Sequence, residues 1–420
     1  MRSVVVSCPI DTYSGYGARA RDFVKALIQT KKYDVKILSQ RWGNTRFGYL
    51  ADHNETDLAS RLIPNMDNKP EIWIQISVPN EFQAVGEYNI GVTAGMETTL
   101  VHQSWLEGCN RMDLILTSST HSVNTFRASA YEEKNTKTNQ IVKKLQLEIP
   151  IDIVFEGVDL TKYYSKPSNL NLSEIKEQFC YLLVGHWMQG DFGEDRKNVA
   201  YTIKSFLEAF KNKRNAPALI LKTMQVGTSI IDKNRILTKI DAIRKTVKGS
   251  LPNIYLLHGE LSDSEMNDLY NHSKVKVMVS HTKGEGFGRP LLEFAAVGKP
   301  IIASGWSGQT DFLSREHTLL IGGELKDVHK TAQVKNMILK ESKWFTPNDQ
   351  EVARAYRESF KHYKKFTTLA KRQSKLIKDN FSYNKMVEVI EKIFDTNIPD
   401  RPEQIQLTLP KLNLPKLEKV

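Results

Sequence analysis

The stretch HTKGEGFGRPLLEFAAVGKPIIASGWSGQTDF, residues 281–312, decides how this chain is read. It closes the apolar run VKVMVSH, which has the composition of a buried parallel strand, and continues into a glycine loop. Pro290 suits the first turn of a helix and Gly298 the residue just past its end, so the spacing predicts a helix over residues 289–297. Free backbone N–H groups and a positive dipole gather at the start of such a helix, beside the glycines, and together they attract phosphate. Glu285 lies in the loop and Glu293 within the first turns, with seven residues between them. Both can face one cleft although the rest of LLEFAAV is core. Each acid also has a plainer reading: Glu293 as the partner of a nearby arginine, Glu285 as a solvated loop residue.

Outward from this stretch, strand-like and helix-like runs alternate. RSVVVSCP, DVKILS, EIWIQISVP, YNIGVTA and MDLILTSS read as strands, with GARARDFVKALIQTKKY helical between the first two and HSVNTFRAS helical after the last. SKPSNLNLSEIK has a linker's composition, and the rhythm then restarts with FCYLLVGHW, a helix over 198–211, PALILKT, a helix after Asp232, NIYLLHGE, SEMNDLYNHS and VKVMVSH. After the opening motif come KPIIASG and HTLLIGG. The pattern predicts an α/β protein with two tandem Rossmann-like domains around a cleft. Residues 1–165 would form the acceptor domain and 172–345 the nucleotide-sugar donor domain. Basic helices over 346–396 would run from Trp344 onward and cross back to the first domain, ending in a tail, 397–420.

Composition narrows the class. The chain has 420 residues, 40% of them hydrophobic and 25% charged, which is ordinary for a globular protein and too long for one core. Cys8, Cys109 and Cys180 lie far apart, form no metal-ligand or CxxC pattern, and are too few to staple a secreted fold of this size. The N-terminal apolar run is too short for a signal sequence, and no stretch approaches the ~18 apolar residues of a membrane span. The expectation is a cytoplasmic protein. No D-x-D triplet occurs, so a familiar metal-holding pair is missing.

GEGFGRPLLEFAAVGKPIIAS resembles the E-x7-E signature of the group-1, family-4-type retaining glycosyltransferases of GT-B fold, in spacing, glycines, Pro290 and the trailing GKPIIAS. The resemblance implies that Glu285 contacts the donor sugar at the reacting end and Glu293 holds the ribose hydroxyls. Gly286, Phe287 and Gly288 would complete the donor loop. CYLLVGHW followed by EDRKNVAYTIKSF is similar to the family's first donor-domain strand, where a cation after VG and a lysine further on clamp the diphosphate. Lys197 falls on that lysine, Arg196 precedes it, and His186 stands where the family has arginine. Lys222 or Arg196 would supply the missing charge. LHGELSDSEMNDLY resembles the base-binding segment, placing Leu257 and His258 near the nucleobase. IVFEGVDLTKYY matches the family's domain-closing turn. The implied co-substrate is a nucleotide-diphosphate sugar, a UDP-sugar, with no cofactor and no metal. Lys197, Arg196 and the loop amides would neutralise the leaving diphosphate. Paired glycosidase carboxylates are the competing chemistry, and a Rossmann-like setting argues against them.

Two features of the first half belong to the same cleft. Gly15 and Gly17, in DTYSGYGARARDF, permit close backbone approach to donor at a strand-to-helix turn, although GYG is also an ordinary turn. Glu97, at the carboxyl end of a central strand, stands near where related enzymes place a histidine; it would orient acceptor or donor, or make a core-edge hydrogen bond.

The acceptor clue is charge. Net charge is +11, and between residues 354 and 378 nine cations face a single acid, Glu358. Arg354, Arg357, Lys361, Lys364, Lys371 and Lys375 recur at helical spacing as one stripe, read either as a solvated face or as a polyanion contact. Duplex DNA fits such a stripe, and so does peripheral contact with an anionic membrane. ISVPNEFQAVGEYNIGVTAGMETT also looks like group-1 transferases of T-even-type bacteriophages, which glycosylate hydroxymethylated cytosine in DNA; host cytoplasm would then be the compartment. Transfer to a cell-envelope polysaccharide or lipid-linked glycan, a sugar-nucleotide epimerase of the same fold, and a catalytically inert nucleic-acid-binding protein are the alternatives.

Overall fold

Strand β1, Arg2–Cys8, buries Val4, Val5 and Val6, and its neighbours repeat that apolar character: β2 Tyr33–Ser39, β3 Ile72–Ile76, β4 Tyr88–Val92 and β5 Leu114–Thr117. An antiparallel hairpin, β6 Ala130–Lys134 with β7 Ile141–Gln146, precedes β8 Ile151–Ile153. The computed structural model describes residues 1–134, 141–225 and 227–400. Six of these strands make one parallel sheet in the order β2-β1-β3-β4-β5-β8. A parallel sheet buried on both faces needs near-continuous apolar strands, and β3, IWIQI, is buried at all five positions.

The second lobe repeats the architecture with β9 Cys180–Val184, β10 Ala218–Lys222, β11 Ile254–Leu256, β12 Val275–Ser280, β13 Ile301–Ser304 and β14 Leu319–Ile321. Their order is β11-β10-β9-β12-β13-β14, all parallel. In both sheets the order turns back at the first strand, leaving a crevice at the carboxyl ends where doubly wound folds bind ligands.

The helix drawn from Pro290 and Gly298 is present as Arg289–Val297, capped by Gly288 at φ +104° and by Gly298 at φ +86°. The stretch after Trp344 departs from expectation. It is not helical at once: β16, Lys343–Pro347, pairs antiparallel with β15, Gly323–Asp327. Backbone pairing holds this segment extended, in register from Gly323 opposite Pro347 to Asp327 opposite Lys343, with Trp344 and Phe345 buried and Lys343 exposed. Helices Asp349–Lys361, Tyr363–Asn380 and Tyr383–Asn397 follow. Of the tail, residues 401–420 lie outside the described residues.

The last helix crosses back to the first lobe, packing Met386, Val387, Ile390 and Phe394 into the core that includes Phe23 and Leu27. The chain therefore passes between lobes twice. The two crossings are tied together, Val158 N–H to the Phe381 carbonyl at 2.9 Å and Tyr383 N–H to the Val158 carbonyl at 2.8 Å.

Truncating Phe394, which is 1% exposed, opens a cavity where the final helix meets the first lobe. Phe394→Ala is expected to cost about 3–5 kcal/mol, read by chemical denaturation of the full chain.

Candidate active site

Loops at the carboxyl ends of the two sheets press against each other. Residues 94–97 follow β4, and residues 284–288 leave β12. A Cβ on Gly284 would lie 1.9 Å from the Glu97 carbonyl oxygen, and one on Gly286 would lie 2.2 Å from that of Ala94. Ser118 Oγ bridges the seam, within donating distance of the carbonyls of Ala94 at 2.6 Å and Gly286 at 3.0 Å. Two of the motif's glycines thus make room for the opposing backbone; Gly288, at φ +104°, is required for its conformation.

At this seam Glu285 is buried and doubly bound. Lys197 Nζ donates to Oε1 at 2.6 Å and Arg196 Nη1 to Oε2 at 3.1 Å. Arg196 also donates to the Gly284 carbonyl at 2.9 Å and reaches Glu97 of the first lobe at 3.5 Å. Backbone bonds hold this arrangement, Lys283 N–H meeting the Arg196 carbonyl at 2.8 Å, while buried Asn198 takes the left-handed conformation at φ 55° and starts the helix Val199–Phe210. Burial opposes ionisation of Glu285, yet the charges of Lys197 and Arg196 outweigh it and hold the carboxyl below its ordinary value. For Lys197 burial wins over the pull of Glu285, so its ammonium lies below the usual lysine value.

Glu293 has a different setting. Its carboxylate accepts from Arg289 Nε at 3.1 Å and from the Tyr270 hydroxyl at 3.1 Å. Arg289 in turn lies 2.7 Å from Asp22 and 3.9 Å from Glu156 of the first lobe. Burial pushes the Glu293 carboxyl up to about 7 against the opposing charge of Arg289. The arginine partner that the plainer reading allowed is therefore real, and it doubles as an inter-lobe contact.

Other anticipated residues take varied positions. Phe287 is a core anchor, its ring 5.0 Å from that of Phe312. His186 is exposed; confinement among protein atoms and the charges of Lys197, Lys222 and Arg196 hold its imidazole below the ordinary value. Lys222 donates to the Gly259 carbonyl, so it braces that loop while its charge still reaches His186. Leu257 packs on the second lobe's core, and His258 bonds Asp232 at 2.9 Å. Gly17 fits because a Cβ there would strike the Thr12 carbonyl at 2.4 Å, a packing need rather than a ligand approach, whereas Gly15 faces open space. Arg354, Arg357, Lys361, Lys364, Lys371 and Lys375 are all exposed on the helices Asp349–Lys361 and Tyr363–Asn380.

Several residues at the seam had no signal that sequence reasoning could use. Tyr16 stacks on Trp42 at 4.0 Å and its hydroxyl lies 3.0 Å from Thr93 Oγ1, at the foot of the 94–97 loop. Trp306 touches the space above Gly284 and meets the His121 ring edge-on at 4.5 Å. These side chains come from five different loops and helices, which no local pattern connects.

This geometry defines a GT-B fold: two parallel six-stranded sheets, facing carboxyl ends and returning C-terminal helices. Residues 248–343, within the second lobe, match the family model described as glycosyl transferases group 1. Among solved structures the chain is similar to a glycosyltransferase from Rickettsia africae (TM-score 0.62, 13% identity, 95% of this chain and 99% of that one). It is also similar to sucrose-phosphate synthase from Thermosynechococcus elongatus (TM-score 0.61, 12% identity, 94% and 99%). A third is Anabaena HepE in complex with UDP-glucose (TM-score 0.57, 13% identity, 94% and 100%). No curated protein matches.

Because the obstacle at Gly286 is backbone, it cannot rotate aside. Gly286→Ala is expected to force the lobes apart, lowering the thermal midpoint of the full chain in a melting experiment. Glu293 provides a pH test. Its folded value of about 7 exceeds the unfolded ~4.3, so folding favours the protonated acid. The stability this contributes is full below ~4.3 and is lost as pH rises through about 7. The melting temperature of the wild type minus that of Glu293→Gln should therefore fall across that window; a flat difference contradicts the assignment.

Proposed function

We propose that this chain transfers a glycosyl group from a nucleotide-diphosphate sugar, a UDP-sugar, to a hydroxyl acceptor with retention of configuration. The observation that carries this reading is the convergence of Lys197 and Arg196 on buried Glu285, across the seam from Glu97. An ammonium has three donors, so Lys197 can hold Glu285 and a phosphoryl oxygen together. The amides at the start of the helix Arg289–Val297 add a second source of positive potential. In this reading the cations and amides stabilise the diphosphate as its bond to the sugar breaks, Glu285 positions the sugar, and Glu293, oriented by Arg289 and Tyr270, receives the ribose hydroxyls. The departing phosphate oxygen takes the acceptor's proton on the same face. A metal ion has no assigned part, so chelation is expected to leave turnover unchanged.

The acceptor we propose is hydroxymethylated duplex DNA. Its support is the basic surface of residues 354–378: the nine cations are exposed, and among the described residues none forms an ion pair, Glu358 being 3.8 Å from His362. No large apolar side chain is exposed on this segment, which favours a polyanion over membrane insertion.

The test is release of free nucleotide diphosphate from a panel of nucleotide sugars, with and without hydroxymethylated duplex DNA. Release that requires the DNA, falls with added salt, and loses that salt dependence when Lys361, Lys364, Lys371 and Lys375 become Gln is the expected result. Release only with glycan acceptors removes the DNA proposal, and isomerised sugar without acceptor identifies an epimerase. Glu285→Gln and Lys197→Ala should each reduce transfer by at least ~100-fold, the scale of losing one preorganised charge contact. Because Glu285 is buried among cations, the isosteric Gln is the informative change.

A further inference from the structure

Behind the Glu285 seam lies a second cavity that the transfer reading does not use. It measures about 480 Å³, within the size range of small-molecule sites, and lies between the β15–β16 hairpin, the loop before the helix Val199–Phe210, and Lys283. Lys283, Lys326, Lys330, Tyr201, Asn198 and Trp344 are in its wall, with Glu194 and Asp327 also present.

Three observations give this cavity a chemical character. Lys283 is 3% exposed, and its ion-pair partner, Glu194, stands 3.7 Å away, too far for a good hydrogen bond. Its ammonium has three donors to satisfy and lies beside the face of Trp344 at 5.3 Å, which offers no lone pair. Trp344 Nε1, a donor in a residue that is 0% exposed, is buried without a hydrogen-bond partner. A buried donor left in that condition is costly and rare, and an acceptor in the cavity would satisfy it. The wall holds three lysines against two acids. Asp327 lies 4.0 Å from Lys343 and Glu194 faces Lys283, while Lys326 and Lys330 stand exposed at the mouth, Lys326 beside Glu324 at 3.0 Å.

We propose that this cavity is a binding site for a small phosphate-bearing anion, distinct from the donor diphosphate. The ligand's phosphoryl oxygens accept from Lys283 at the floor and from Lys326 and Lys330 at the mouth. Its position gives it a route to the seam. The Lys283 N–H is bonded to the Arg196 carbonyl and the Lys283 carbonyl accepts from Phe345 of β16, so the peptide that would carry the anion also carries Arg196 and Glu285. The site stands whether or not the transfer reading does, since none of its three cations belongs to the donor contacts.

Inorganic pyrophosphate, titrated calorimetrically into the full chain, tests it. The expected result is saturable binding that survives Lys197→Gln, weakens at least tenfold in the charge-reversed pair Lys326→Glu, Lys330→Glu, and weakens in Lys283→Met. The exposed pair guards against misfolding of the buried variant. Binding lost in Lys197→Gln but intact in Lys326→Glu, Lys330→Glu would assign the anion to the donor site and overturn the proposal; so would the absence of saturation at millimolar pyrophosphate. A phosphorylated acceptor and a regulatory anion share this chemistry. Competition of pyrophosphate against acceptor identifies the first, and a changed kcat at saturating acceptor the second.

Discussion

One buried carboxylate organises the centre of this molecule. Glu285 has left water, and an isolated ion so placed would cost several kcal/mol. It is retained ionised because Lys197 and Arg196 reach it from a different strand exit, and Arg196 is shared with Glu97 of the other lobe. The arrangement requires β9 and β12 to be neighbours, the 196–197 turn to be bonded to 283–284, and the lobes to be closed. Each is a tertiary condition, and together they turn two independent sheets into a single site.

The second constraint is space. Gly284 and Gly286 meet the backbone of residues 94–97 at distances no side chain would allow, so the seam is made largely of main chain. Main chain presents fixed dipoles and little conformational freedom, which suits a site whose chemistry depends on charge held in place. Arg289 adds a charged clasp, joining Glu293 of the second lobe to Asp22 and Glu156 across the gap. The setting of Glu293 and the closure of the lobes are therefore coupled through one side chain. The cavity behind Lys283 lies on the other side of the same peptide, and an occupant there would act on a segment already shared by both halves of the site.

Much of this architecture is legible in the sequence. The alternation of apolar runs with helical stretches identifies two parallel sheets because a strand buried on both faces must be nearly continuous in apolar residues, as IWIQI and CYLLV are. The helix at 289–297 is readable because Pro290 and Gly298 act locally, through φ restriction and left-handed capping. The β15–β16 hairpin is not: β15 is exposed throughout, β16 buries two neighbours in succession and so lacks a strand's alternation, and the burial of Trp344 depends on Val328 and Ala332 from an intervening turn. The roles of Gly17 and Lys222 escape a sequence reading for a similar reason, because Thr12 and Gly259 meet them only in the folded chain.

By itself, then, the order of residues determined the class of fold, the end of the sheet where charge would gather, and five of the charged groups that meet there, Glu285, Glu293, Lys197, Arg196 and Glu97, but not Arg289, Asp22 or Glu156. Those follow from short-range rules of propensity, capping and burial. Which cation holds which acid, how closely the lobes approach, and where a second cavity opens were decided by tertiary structure alone. Coulomb energy and steric exclusion depend on separations in space of a few ångströms between groups that lie tens to hundreds of residues apart along the chain.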